Sequence, residues 1–476
     1  MTTDFNNKTI AVVGLARSGL ACCEVLTALG ARVLPYDGKP ADAIAEAVAA
    51  VEALGLTAIT GGAPLDYSVL DYLVTSPGVR RDAPILQDAI AAGVPVLGEI
   101  EAAYRIARAP ILAITGTNGK TTTTVLLGEM LQAAGIETYI AGNIAAGDLA
   151  MPLIKAAYLA PPEAAIVAEI SSFQLEWIST FRPKVAALLN ISPDHGDRQT
   201  WEEYVAAKWR IFENQTLAEF AVINDDLWCD LSLKPQCSPG SSVWLFGLDR
   251  SDKYGSWMVG GGIYIAHEMR ETLAEMFSEV CKVAEVKLPG AHNLENIMAA
   301  AAMATAFGVG IEPIRKVATT FTGVVHRLEY VETINGVRYV NNSMCTNAAA
   351  FEKSLEALPE PKVVIAGGVY KGDDVAALGE AVVKNNVRAL VLIGRSAPEI
   401  EQAVRSAGYS NVHRAETLTD AVALAASLAQ AGDTVMLAPA CASFDMFRDF
   451  EDRGDQFKAA VRTYPGASAD PPETGR

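Results

Sequence analysis

Residues 115–122 read Thr-Gly-Thr-Asn-Gly-Lys-Thr-Thr and follow the apolar run Ile111–Ile114. A strand that ends in a glycine-rich turn and opens a helix points successive backbone N–H groups at one spot, at the positive end of the helix dipole. Gly116 and Gly119 let the backbone curl towards an anion, Lys120 adds a full positive charge, and the Thr121 hydroxyl can hold Mg²⁺. With Thr117, Asn118 and Thr122 these residues read as a cradle for a nucleoside triphosphate. The spacing is a shortened phosphate loop, because Ile114 stands where the first glycine of G-x-x-x-x-G-K-[ST] would fall. The plain alternative is a glycine turn with a solvated lysine.

Other residues could serve the same chemistry. Glu169 ends the strand Ala165–Ala168, and His195 lies in Asn190–His195, after the strand Val185–Leu189. A strand-end carboxylate, an imidazole and Thr121 would form a hard-cation site beside the phosphates; His195 reads equally well as an ordinary loop histidine. Lys208 sits on a predicted helix, Tyr204–Phe212, where a snorkelling lysine is the simpler reading. Leu288–Asn296 reads as a loop entering an alanine-rich helix that Asn293 could cap, although asparagine amides also match the donor–acceptor edge of adenine. The turns Gly367–Lys371 and Pro439–Ser443 each follow a predicted strand and offer backbone donors, with Lys371 and Ser443 as anchors. Two such turns on one crevice suit a small dicarboxylate.

Alternating strands and helices must position these groups, which predicts an α/β chain with parallel sheets. At 476 residues two or three domains are expected. In residues 1–107, the strand Thr9–Val13, the turn Gly14–Gly19, the helix Leu20–Leu29 and the strand Arg32–Tyr36 ending at Asp37 form a doubly wound unit, and Tyr72–Thr75 runs into the turn Ser76–Gly78. An acidic residue about 20 positions past the glycine turn suits a ribose. Residues 108–325 form the cradle domain, with Leu231–Gly262 read as hairpins. Residues 326–476 form a third α/β domain, with strands at Lys362–Ala366, Ala389–Ile393 and Thr434–Ala438 and helices at Asp374–Asn386 and Thr419–Gln430. The tail Ala467–Arg476 is expected to fray.

Composition narrows the function. Half the residues are hydrophobic and 20% are charged, as in a folded globular chain, and the net charge of −18 argues against nucleic-acid binding. The seven cysteines are scattered without a C-x-x-C pair, so neither a disulfide framework nor a zinc ribbon is indicated and a reducing cytoplasm fits. The start shows no signal-peptide pattern. The apolar stretch Ile297–Ile311 is too short to cross a membrane and reads as a buried helix.

Taken in order, Gly116–Thr121, Glu169–Glu176, Asn190–His195, Ala206–Lys208, His292-Asn293, His326-Arg327 and Ser443–Phe447 with Phe450 resemble the Mur ligases over essentially the whole length. The likeness is strongest to the branch that adds glutamate to a UDP-linked muramoyl-alanine. The resemblance implies an N-terminal Rossmann-like UDP-binding domain, a central P-loop ATPase-type domain and a C-terminal Rossmann-like domain, with ATP between the second and third. It implies an ATP-dependent amide ligase acting through an acyl phosphate, with UDP-N-acetylmuramoyl-L-alanine and D-glutamate as substrates and two Mg²⁺ sites. It places the UDP-substrate on Arg17, Ser18, Asp37, Ser76, Pro77, Gly78, Asn143, Ser171 and Gln174. ATP would meet Gly116–Thr122, Asn293, Asn296, Arg327 and Asn342, and glutamate would meet Thr346, Lys371, Ser443, Phe444 and Phe450. Lys120, Glu169, His195 and Lys208 would be catalytic. Thr121, Glu169, His195 and Lys208 would hold the metals, Lys208 as a CO₂-derived carbamate. The resemblance also implies a cytoplasmic monomer with no membrane or nucleic-acid partner.

Two departures stand out. The family commonly shows Asp-Ser-Lys-Ala-Thr-Asn where this chain has Asn342-Ser-Met-Cys-Thr-Asn347, and Val369-Tyr370 precede Lys371 where an Asp is usual. Altered nucleotide affinity, or use of L-glutamate, is the expectation these changes raise. A folylpolyglutamate-synthase-like ligase, a regulator without catalysis and a dinucleotide oxidoreductase are the rival readings. The first would lack the unit at 1–100, the second is opposed by the intact Lys120, Glu169, His195 and Lys208, and the third needs a tighter glycine motif than Gly14–Gly19.

Overall fold

The computed structural model describes residues 5–144, 151–193, 199–230, 232–233, 239–249, 254–266, 277–288, 290–370 and 375–465. They form two compact units, one up to Phe321 and one from Thr322.

The first unit holds two sheets. β1 (Thr9–Val13), β2 (Arg32–Asp37), β3 (Ile59–Thr60), β4 (Tyr72–Thr75) and β5 (Val96–Gly98) pair in the order β3-β2-β1-β4-β5, all parallel. β1 reads Thr-Ile-Ala-Val-Val and is buried on both faces, as a central parallel strand requires. Helix Arg17–Ala28 follows it closely, and a Cβ on Gly19 would stand 1.8 Å from the Gly14 carbonyl. Only glycine allows that approach of helix to strand.

The second sheet contains β6 (Ile111–Thr115), β7 (Thr138–Gly142), β8 (Ala165–Glu169), β9 (Val185–Leu188), β10 (Phe220–Asn224), β11 (Ser242–Gly247), β12 (Gly255–Val259), β13 (Gly262–Ala266) and β14 (Phe277–Lys282). Its order is β14-β13-β12-β11-β10-β9-β6-β8-β7. β6 lies between β8 and β9, both parallel to it, so three strand ends open beside the glycine turn. The hairpin expectation needs correction. β12–β13 and β13–β14 are antiparallel, but β11 extends the parallel sheet between β10 and β12. Its Leu245-Phe246 pair is buried, and the local composition masked that long-range pairing. Helix Ala291–Ala306 is buried throughout Ile297–Ala304 and packs on the helix after the glycine turn. It begins at Ala291 behind Gly290, so Asn293 lies inside its first turn and is not its cap.

One hydrophobic core joins the two sheets, running from Ile10, Val12 and Leu26 through Leu97 and Ile100 to Ile111, Ile166 and Leu188. Helix Glu99–Ile106 forms the seam. Its Glu101 is fully buried and accepts from the backbone N–H groups of Ser179, Thr180 and Phe181, from the Thr180 hydroxyl at 2.6 Å and from Arg105 at 3.0 Å. Burial opposes the charge, but these donors outweigh it and hold the pKa down at about 2 from an ordinary 4.5. A depressed carboxylate adds stability above its unfolded pKa and loses it as pH falls through the folded one. Glu101→Gln is therefore expected to cost about 3 kcal/mol at pH 7. The deficit should close as pH falls from about 4.5 towards about 2. Urea unfolding of both proteins across that window checks this, and parallel curves would contradict it.

The second unit has β15 (Glu329–Ile334), β16 (Val337–Asn341), β17 (Lys362–Gly367), β18 (Val387–Ile393), β19 (Val412–Arg414) and β20 (Thr434–Leu437), ordered β15-β16-β20-β17-β18-β19. Only β15 runs antiparallel, against β16. The six cysteines described are free. Among the described residues no helix is long and apolar enough to cross a membrane.

Candidate active site

The turn after β6 folds as its residues require. Gly119 has φ +82° and starts helix Lys120–Ala133, and a Cβ there would meet the Asn296 amide oxygen at 2.3 Å. A side chain would be strained in conformation and blocked in space. Asn190 braces the loop, accepting from Asn118 N–H at 2.8 Å and donating to the Asn118 carbonyl at 3.1 Å. The Lys120 ammonium folds over the turn to the carbonyls of Gly116 (3.0 Å) and Thr117 (2.9 Å). The Thr117 hydroxyl meets the Tyr204 hydroxyl at 2.9 Å. Thr122 sits half-buried in the helix's first turn.

Thr121 donates its hydroxyl to Glu169 at 2.7 Å, and both residues are 3% exposed. A hydroxyl and a carboxylate oxygen thus meet at the mouth of β6 and β8, a donor pair suited to a hard cation. Lys208, 2% exposed on helix Trp201–Trp209, donates to the Gly116 carbonyl at 2.7 Å and stands 4.6 Å from the Tyr204 ring centre. It is buried at the cradle and does not snorkel to water. His195 lies outside the described residues. Asn296 is buried, accepts from Thr123 at 3.3 Å and donates to Asn293 at 3.1 Å, so both asparagines reach the cradle's flank.

A cleft of about 760 Å³ opens in the first sheet's loops and is lined by Ser18, Asp37, Ser76, Pro77 and Gly78. Asp37 accepts from Leu15 N–H at 2.9 Å and Lys39 N–H at 3.0 Å, and Ser76 donates to the Gly14 carbonyl at 2.7 Å. Arg17 points elsewhere: its guanidinium donates to the carbonyls of Gly142 and Ile144 at 3.3 Å, on either side of Asn143. Asn143 in turn donates its N–H to the Glu169 carbonyl at 2.8 Å. Ser171 and Gln174 form a reciprocal cap on helix Ser172–Leu175.

In the second unit, Val369 and Ala442 exchange backbone hydrogen bonds at 2.8 and 3.0 Å, so the two glycine-bearing and alanine-bearing turns do lie side by side. Ser443 is buried and Phe444 is exposed; Lys371 lies outside the described residues. Arg327 is exposed between two residues with positive φ, His326 (63°) and Leu328 (44°), a strained backbone that presents its side chain. Burial first, then the Lys458 charge, holds the His326 pKa below its ordinary value. Asn342 uses both ends of its amide internally, accepting from Leu328 N–H at 3.1 Å and donating to Ser354 at 2.6 Å. Thr346 is half-buried past the end of β16.

Among the buried charges that sequence reasoning missed are Glu99, Glu101 and Arg453. Arg453 is fully buried and donates to Ser343 Oγ (2.9 Å), the Ser343 carbonyl (2.9 Å) and the Cys441 carbonyl (3.0 Å). It ties the loop of Asn342 and Thr346 to the turn of Ser443, while Phe450 accepts from the Ser343 hydroxyl at 2.7 Å. The only sequence signal for Arg453 is its place one helical turn after Phe450.

Comparison with known proteins bears on this arrangement. Family profiles match residues 8–98 (Mur ligase MurD-like, N-terminal domain), 114–304 (Mur ligase middle domain) and 326–441 (Mur ligase, glutamate ligase domain). The UDP-N-acetylmuramoylalanine–D-glutamate ligase of Pelotomaculum thermopropionicum is 43% identical over 465 residues, covering 97% of this chain and 99% of the relative. That of Caldanaerobacter subterraneus subsp. tengcongensis is 41% identical over 462 residues, with 96% and 99% covered.

Proposed function

The chain belongs to the Mur ligase family, and from that premise we propose that it joins D-glutamate to UDP-N-acetylmuramoyl-L-alanine at the expense of ATP. It is an ATP-dependent acid–amino-acid ligase of peptidoglycan precursor synthesis. We assign residues 1–107 to the UDP-substrate, 108–325 to ATP and 326–476 to glutamate, and place the enzyme in the cytoplasm as a monomer.

The observation that carries this reading is the Thr121–Glu169 contact at 2.7 Å inside the turn that Lys120 and Lys208 both reach. A carboxylate resists attack by an amine because oxide would have to leave. Transfer of the ATP γ-phosphoryl group to the alanine carboxylate makes an acyl phosphate, from which phosphate departs when the glutamate amine attacks. Such a reaction needs alignment and charge neutralisation more than a protein nucleophile. Lys120, the turn's N–H groups and Arg327 would hold the phosphates, Asn293 and Asn296 would meet adenine, and Asn342 would also serve the nucleotide. Thr121 and Glu169, with His195, suit Mg²⁺, which supplies further charge neutralisation. Lys208 would carry a carbamate, formed when its neutral amine bonds to CO₂ and releases a proton, and so add a second anionic metal ligand. The UDP moiety fits the cleft lined by Ser18, Asp37 and Ser76–Gly78, with Asn143, Ser171 and Gln174 towards the muramoyl end. Thr346, Lys371, Ser443, Phe444 and Phe450 would frame glutamate.

The amide of Asn342 has a structural use for its N–H that a carboxylate could not supply, so its presence does not by itself favour L-glutamate. Incubation with UDP-N-acetylmuramoyl-L-alanine, ATP, Mg²⁺ and either enantiomer tests the assignment. Phosphate release with D-glutamate alone is expected, and release with L-glutamate or with neither would contradict it.

A further inference from the structure

We propose that Glu329 is a positioning residue for ATP, its carboxylate holding the strained turn that presents Arg327. This rests on the assignment of Arg327 to the nucleotide phosphates.

Arg327 is exposed between His326 and Leu328, whose φ values are 63° and 44°. Neither neighbour is glycine, so the turn carries strain and persists only where its surroundings hold it. Hydrogen bonds to its backbone do so. Arg327 N–H donates to the Val324 carbonyl at 3.1 Å, the His326 carbonyl accepts from Met344 N–H at 3.1 Å, and Leu328 N–H donates to the Asn342 amide oxygen at 3.1 Å. The bond that ends on a charge comes from His326 N–H, which donates to Glu329 Oε2 at 2.9 Å. Glu329 opens β15 and is itself fixed from two other elements. Asn341, opposite it on β16 and fully buried, donates its amide to the same oxygen at 2.9 Å. Lys458, on helix Phe450–Thr463, reaches Oε1 at 3.2 Å. The Asn341 amide is oriented in turn, because its oxygen accepts from Ser343 N–H at 3.2 Å. One carboxylate therefore ties a strand start, a strand end and a helix to an N–H inside the Arg327 turn. Ion pairing alone does not account for it, since Lys458 also has Asp455 at 3.0 Å. The His326 N–H belongs to a residue only 7% exposed, where loss of an acceptor is poorly repaired by water.

Glu329→Met keeps the length of the side chain but loses the acceptor. Glu329→Gln keeps an oxygen for the His326 N–H, and Lys458→Met removes the ion pair while leaving that oxygen in place. Initial rates of phosphate release are measured with UDP-N-acetylmuramoyl-L-alanine, ATP and D-glutamate varied in turn. The KM for ATP should rise about tenfold in Glu329→Met, the size of one charge-assisted hydrogen bond. The KM values for the other two substrates should stay within about twofold of wild type. Glutamate is assigned to the same unit, so a general loosening of that unit would raise its KM as well. Glu329→Gln and Lys458→Met should keep the KM for ATP within about threefold of wild type. Should Glu329→Met fail to fold, Glu329→Ala carries the same expectation. An unchanged KM for ATP in Glu329→Met, an equal rise in the KM for glutamate, or a Glu329→Gln or Lys458→Met as impaired as Glu329→Met would overturn the proposal. An unchanged KM for ATP in Arg327→Ala would overturn the reading of Arg327, and the proposal with it. A wild-type enzyme inactive with these substrates would overturn the functional assignment beneath both, so the failures are distinguishable.

Discussion

Lys120→Ala is expected to lower kcat/KM by roughly a thousandfold, with the protein still folded. In the structure Lys120 spans the carbonyls of Gly116 and Thr117, and its ammonium is a full positive charge at the start of the cradle helix. Phosphoryl transfer spreads negative charge over the reacting group, and a fixed cation acts on that charge most strongly in the transition state. Removing two half-exposed hydrogen bonds should cost only about 1–3 kcal/mol of stability. A merely structural lysine would show the reverse pattern: a marked fall in the thermal midpoint and a modest change in rate. Steady-state kinetics beside thermal unfolding separates the two, and turnover close to wild type would remove Lys120 from the chemistry.

Lys208→Arg is expected to be nearly as damaging as Lys208→Ala, with a loss of at least about a hundredfold in kcat. An ordinary buried cation could be replaced in part by arginine, which retains the charge and can still donate to the Gly116 carbonyl. Arginine cannot form a carbamate under these conditions, because its guanidinium does not release a free amine. Wild-type protein exposed to ¹³C-bicarbonate should show a carbamate carbon that both variants lack, and stripping CO₂ from the buffer should lower wild-type activity. High activity in Lys208→Arg, or no labelled carbon in the wild type, would return Lys208 to a plain structural role.

Much of the first unit's site was legible because it is local in sequence. The cradle is one strand, one turn and one helix within Ile111–Ala133, and the order of apolar, glycine and basic residues specifies each part. Glu169 was legible because a polar residue ending a buried parallel strand must face the crevice. The pairing of the Val369 and Ala442 turns followed from two parallel strands each ending in small residues. What escaped depends on partners far away in the chain. Glu99 and Glu101 look like ordinary acids in a helix's first turn until Ile154 and Ser179–Phe181 are brought to them. Nothing local to Arg17 shows that its guanidinium reaches the carbonyls of Gly142 and Ile144, more than a hundred positions on. Asn293 was misread because Pro289-Gly290 suggests a longer loop, while packing against helix Lys120–Ala133 starts the next helix at Ala291.

The fate of one oxygen atom tests the central claim. With UDP-N-acetylmuramoyl-L-alanine labelled by ¹⁸O in the alanine carboxylate, ATP and D-glutamate, the inorganic phosphate released should carry one labelled oxygen, because the carboxylate oxygen leaves on the phosphoryl group. Unlabelled phosphate alongside completed ligation would mean that the acid is not activated by the γ-phosphoryl group, and the account of this site would be wrong.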